Sequence, residues 1–296
     1  MFAPRYPDCD SLAMDATLAG WQLTGLVLLA ALMHASWNAV AKSSTDPLLN
    51  MTVITSVGGM VSALALPFLA FPEPAAWPYI ATSAALHVIY QLLLVWSYSL
   101  GDLSQVYPIA RGLAPLGVTA LAAFTAREIP TAAQSVGLAL ASAAIVSLSF
   151  VGRSGPSSRA AVRSALLTAL LISSYTVVDG LGARSAGGAL CYVAWMYCIY
   201  TFLILIVAFI ARRGRWLAFL RAEGLRASGA GVLAIVGYAT VVFAMSKGAM
   251  GPVSALRETS VVIAAFIGSR ILNEPFGRPR IVASVVLVAG LLLGRI

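Results

Sequence analysis

Apolar residues do not alternate along this chain. They run in long blocks, each closed by proline, glycine or a charge. A helix that crosses a bilayer needs about 20 mostly apolar residues. That rule predicts ten spans, over approximately 20–41, 49–71, 77–100, 103–126, 130–151, 161–184, 188–211, 227–247, 250–272 and 279–295. The punctuation between them is short: "TDP", "FPEP", "GD", "REIP", "GRSGPSSR", "RRGR", "KGAMGP" and "NEPFGRP". The basic stretch Ala211–Arg226 reads as the longest connection, and it is too short to hold a folded soluble domain. The pattern is that of an all-α integral membrane protein whose chemistry happens within the membrane.

Composition agrees. Of 296 residues, 60% are hydrophobic and 10% charged, against about 45–50% and 25% in soluble domains. The net charge of +8 comes from arginines that punctuate apolar runs. That distribution fits membrane topology better than a nucleic-acid partner. Cys9, Cys191 and Cys198 form neither a C-x-x-C pair nor a zinc spacing, and no metal or cofactor is expected. Residues 1–19 read as an N-terminal tail without the apolar core of a signal peptide.

The chain repeats itself. "ARGLAPLGVTALAAFTAREIP" in span four matches "LRETSVVIAAFIGSRILNEPF" in span nine, and Arg111 precedes Glu128 by the same interval as Arg257 precedes Glu274. Upstream, "SLG" at Ser99–Gly101 matches "SKG" at Ser246–Gly248, and "ASWNAV" in span one matches "SSYTVV" in span six. The expected organisation is a first five-helix repeat over 20–151, a linker over 152–160 and a second repeat over 161–296. Five is odd, so the two halves are expected to lie in opposite orientations. Such inverted repeats are typical of transporters, with the site near the midplane between them.

Ten short-looped spans, the recurring arginine–glutamate interval and the residues Ser36-Trp37-Asn38, Tyr107-Pro108, Pro115, Glu128-Ile129-Pro130 and Glu274-Pro275 resemble the drug/metabolite transporter superfamily in its EamA-like, ten-helix branch. The resemblance spans about 20–296. It implies a secondary transporter, not an enzyme, of the bacterial inner membrane. Similar proteins export aromatic amino acids, threonine or cysteine. The implied partners are a small solute and the lipid bilayer; a monomer is compatible with the pattern. An importer or passive facilitator is the alternative, and an intramembrane enzyme a weaker one, because no H-E-x-x-H or G-x-S-x-G motif appears. Lys and Arg concentrate after spans five, seven and nine, which by the positive-inside rule places both termini outside, whereas the resembling proteins usually hold them inside.

Polar residues within spans mark candidate positions. In span one, His34 and Asn38 share a face with Lys42, and Trp37 lies alongside. This is either a cavity wall or a helix–helix contact. In span three, His87, Gln91, Leu94 and Tyr98 form one stripe bordered by Tyr90. His87, roughly 15 Å into its span, is either a titrating group or a neutral ring bonded to a carbonyl. Tyr175 and Tyr238 occupy the positions matching Trp37 and Gln91 in the second half. Asp179 reads as a solvated cap, Arg184 as a loop charge, and Glu128 and Glu274 as surface groups near Arg127 or Arg270. Arg111 lies about 12 Å into span four, where a lone arginine costs at least ~2.5 kcal/mol. Glu258 is the carboxylate at comparable depth in the other half, so the two are expected to meet or to share a wet cavity with Tyr107 and Arg257. Pro108, Pro115 and Pro252 are either bend points of a carrier or static kinks.

Overall fold

The computed structural model describes residues 20–42, 44–100, 103–150, 159–264 and 278–294, without the side chains of Lys42 and of residues 98–100 and 103–106. Every regular element among them is helical. In chain order these are α1 (Gly20–Lys42), α2 (Pro47–Ala65), α3 (Trp77–Leu100), α4 (Leu103–Thr125), α5 (Ala132–Ser147), α6 (Arg159–Ser185), α7 (Ala189–Ala211), α8 (Trp216–Lys247), α9 (Met250–Arg257), α10 (described over 259–264) and α11 (Arg278–Leu293). The first eight are long and apolar enough to cross a membrane. Side chains such as Phe124, Ile129, Leu225 and Leu292 stand outward, as lipid-facing apolar residues do.

Each terminus follows from local chemistry. Asp46 caps α2 by accepting from the Leu49 amide, and Pro47 follows at the first helical position, where its missing N–H costs nothing. Thr131 and Gln134 form a reciprocal capping box on α5. Arg127 takes a left-handed φ of 57° and lets the Glu128 amide reach back to the Ala122 carbonyl, closing α4.

Several of the helix pairs correspond under one exchange of elements. α1 packs on α8, and α6 on α3; α2 packs on α8, and α7 on α3; α2 meets α7, α4 meets α9 and α5 meets α11. Exchanging α1 with α6, α2 with α7, α3 with α8, α4 with α9 and α5 with α11 maps this list onto itself. The α5–α11 seam is a backbone contact. A Cβ on Gly137 would sit 2.3 Å from the Gly290 carbonyl oxygen, and one on Gly290 2.6 Å from that of Gly137. Without a hydrophobic driving force between helices in lipid, such close packing is what holds them.

Two elements depart from the hydropathy reading. α8 begins at Trp216 rather than 227, so most of the basic stretch is helix. Arg221, Glu223 and Arg226 depress local hydropathy but do not disfavour a helix, and Phe219 anchors the added turns against Leu49, Val53 and Ile54. The predicted ninth span is interrupted at Glu258, where α9 ends and α10 begins. Pro252 lies in the first turn of α9, where it removes no intrahelical hydrogen bond, so the interruption is not at the proline.

The seam yields a test. Gly137→Leu or Gly290→Leu should destabilise the protein by about 1–3 kcal/mol, read as a lowered thermal midpoint in detergent. Gly25→Leu, with open space around it, should leave the midpoint in place.

Candidate functional site

At the interruption in α9, two arginines and one glutamate are buried together. Arg111 on α4 sends its Nε to 2.7 Å from Glu258 Oε2, with 3% and 0% exposure for the two residues. Arg257 Nε stands 3.6 Å from the other carboxylate oxygen. The first approach is too poorly aligned and the second too long to count as a hydrogen bond, so these contacts act through charge. Arg111 also donates from Nη2 to Ser260 Oγ at 3.2 Å, and its guanidinium lies 5.9 Å from the centre of the Tyr107 ring. Pro115, whose missing N–H leaves the Arg111 carbonyl without its usual partner, lies inside α4, as does Pro108.

Beside this cluster lies a cavity of about 100 Å³, lined from both halves. His34 and Trp37 come from α1, Thr55 from α2, His87, Tyr90, Gln91 and Leu94 from α3, Tyr175 from α6, Tyr197 and Tyr200 from α7, Tyr238 from α8 and Arg257 from α9. The walls are rings packed on rings. His87 lies 4.2 Å from Tyr175, 5.3 Å from Tyr200 and 5.5 Å from Tyr238 between centroids, and His34 meets Trp37 edge-on at 5.1 Å. His87 Nδ1 lies 2.9 Å from the Ser83 carbonyl, the geometry of a ring bonded to backbone. Gln91 accepts from the Tyr200 hydroxyl, and its Nε2 has no partner among the described residues.

A second polar cluster supports this wall from behind. Asp179, 1% exposed, accepts from Ser83 Oγ, from Tyr192 at 2.9 Å and from Tyr238 at 2.5 Å. One carboxylate thereby ties α3, α6, α7 and α8 together and fixes the Tyr238 ring in the cavity wall. The solvated cap expected for Asp179 is corrected: hydropathy places it near a helix end, but the neighbouring helices cover that end.

A third cluster closes the side of the bundle where α4, α6 and α8 end and α9 begins. Ala249 has no polar side chain with which to cap α9, and Glu128 does so from the connection between α4 and α5, accepting from the Met250 amide at 2.7 Å. The other Glu128 oxygen is 2.7 Å from Arg184. Arg184 in turn donates to the Met245 and Gly248 carbonyls at the end of α8, groups a helix end leaves unpaired. Arg184 is therefore not a loop charge, and the partner of Glu128 is Arg184 rather than Arg127.

Of the residues singled out in the sequence, His34, Trp37, His87, Tyr90, Gln91, Tyr175, Tyr238 and Arg257 line the cavity. Tyr107, Arg111 and Glu258 stand behind it. Asn38 spends its amide on the His34 carbonyl at 2.8 Å and is absent from the wall. The Tyr98 side chain, Arg270 and Glu274 lie outside the described residues. Sequence reasoning missed Tyr197 and Tyr200. With Val193 and Ile204 they form a buried stripe at three- and four-residue steps, a signal swamped by the uniform apolarity of α7.

Residues 160–294 match the EamA-like transporter family. The EamA-like segment thus runs from the start of α6 to the end of α11 and includes Tyr175, Asp179, Arg184, Arg257 and Glu258. No curated protein matches the sequence. A solved crystal structure with 18% identity has a TM-score of 0.74 to this fold, covering 92% of this chain and 94% of that one. At that identity the likeness shows the fold.

Two outcomes test the clusters. Glu258→Gln should cost about 3–5 kcal/mol in thermal unfolding, because it leaves two buried guanidinium groups without a counter-charge, and Arg111→Gln, which leaves Glu258 to Arg257 alone, should cost less. The exchange Arg111→Glu with Glu258→Arg should recover most of that loss; failure to recover any would argue against direct pairing. Asp179→Ala, which removes the acceptor shared by three hydroxyls and leaves that of Tyr238 without a partner among the described residues, should cost at least ~2 kcal/mol by the same measurement.

Proposed function

We propose that this protein is a secondary transporter that moves amino acids, aromatic or other neutral ones, or related small metabolites out across the bacterial inner membrane by alternating access through the central cavity. The observation that carries the reading is the position of the cavity: walled by helices of both halves and bordered by the interruption in α9. Interrupted helices at the junction of repeats are where carriers hold their solutes. The EamA-like match of the second half supports it independently.

The cavity volume also speaks to the conformation. About 100 Å³ is below the roughly 300–1,000 Å³ of typical ligand pockets. An aromatic solute therefore needs the rings around His87 to separate before it enters. The clasp of Glu128 and Arg184 seals the side where α9 starts, while Trp37 and Met51 place the cavity toward the α1–α2 connection. Access would alternate by breaking the first closure and forming one at the second.

Counterflow in proteoliposomes tests this. Vesicles preloaded with unlabelled alanine or phenylalanine should take up the radiolabelled amino acid transiently above equilibrium, and Glu258→Gln should abolish the overshoot. Flux that follows the gradient without trans-stimulation would support passive facilitation instead, and no flux with any small solute would reject the reading.

A further inference from the structure

On the Arg257 side of the cavity the charges do not balance locally. Behind its wall, Glu258 is shared by Arg111 at 2.7 Å and Arg257 at 3.6 Å, so the cluster holds two cations and one anion. Asp179 is engaged by three hydroxyls elsewhere. Among the described residues, Arg257 is the one charged side chain on the cavity wall, and no carboxylate lines it. Arg257 is 6% exposed, and its Nε and Nη2 find no hydrogen-bond partner among the described residues. Gln91 Nε2, on the facing helix α3, is a second donor without one. A buried cation with unspent donors in low dielectric is costly unless an anion joins it.

From this surplus charge we infer that the cavity holds a carboxylate anion on Arg257, with Gln91 as a second donor, and that an amine on the solute is not recognised. The inference rests on the transporter reading and narrows its solute to a monocarboxylate with an apolar tail. A guanidinium presents paired N–H donors that match a carboxylate. The apolar remainder of the solute faces Ile54, Leu94 and Val241 and the surrounding rings. Glu258, drawn off by Arg111, offers nothing to an ammonium group. Amino acids would then enter by their carboxylate end, and their des-amino counterparts would bind at least as tightly.

The test is isothermal titration of the full-length protein in nanodiscs, in carboxylate-free buffer, with sodium propionate, propionamide, propylammonium, L-alanine and sodium chloride. Propionate should bind at least tenfold more tightly than propionamide and propylammonium, and no more weakly than alanine; chloride should not displace it at equal concentration. Arg257→Gln should erase the preference for propionate over propionamide, and Arg257→Lys should retain part of it. If Arg257→Gln does not fold, the ligand series on the wild type and Arg257→Lys decides. Equal or tighter binding of propylammonium, displacement by equimolar chloride, an unchanged preference in Arg257→Gln, or no binding of propionate would each overturn the inference. Counterflow separates the two readings: exchange of an amine solute without propionate binding rejects the carboxylate site alone, whereas propionate binding without exchange of any solute rejects transport alone.

Discussion

The contact between Arg111 and Glu258 is the constraint on which the centre of this fold depends. An arginine this far from water needs a counter-charge, and the carboxylate that supplies it stands where α9 stops being one continuous helix. The chain does not choose these positions separately. Pro115 leaves the Arg111 carbonyl without its usual helical partner, Glu258 closes one helical segment and opens the next, and Ser260 in that next segment receives the other end of the guanidinium. The pair therefore joins α4 to the junction of α9 and α10, beside the cavity.

From there the polar design is layered. Arg257 faces the cavity, Glu258 and Arg111 stand behind it, and on the opposite wall Tyr238 faces inward with Asp179 behind. Glu258 is paired by charge and Asp179 by hydrogen bonds, and neither carboxylate lines the cavity. The cavity is lined by aromatic rings, two histidines, an amide, a threonine hydroxyl, aliphatic side chains and one guanidinium. Rings give area and shape, and the few donors give orientation. A wall of this kind would select the head group of a bound molecule more sharply than its tail.

Much of this was legible in the sequence, for identifiable reasons. Block length reports spans directly, and the eight long apolar helices lie where the blocks are. The meeting of Arg111 with Glu258 followed from cost alone: a buried cation needs an anion, and one candidate was available at that depth. What hydropathy reports poorly is direction and cover. Asp179 looked solvated because it is near a helix end, and only the packing of α7 and α8 over that end makes it central. Arg184 looked like a loop charge because its partners, two carbonyls and Glu128, are distant in sequence. Asn38 looked like a wall residue on periodicity, but an asparagine amide can turn back on its own helix, and here it does. The interruption at Glu258 carries no glycine or proline of its own, so no local signal announced it.

The clasp around Arg184 has a consequence for how its side of the bundle responds to the surrounding solution. Arg184 and Glu128 are 30% and 18% exposed, so their mutual attraction is felt through partly wet surroundings. Charges in such surroundings weaken as ions accumulate within a Debye length of about 8 Å at physiological strength. The bonds from Arg184 to the Met245 and Gly248 carbonyls, and from the Met250 amide to Glu128, depend on short-range geometry instead. This face is therefore fastened by two mechanisms with different ionic sensitivities. Brine loosens one and leaves the other in place, so the closure is graded by ionic strength rather than abolished by it.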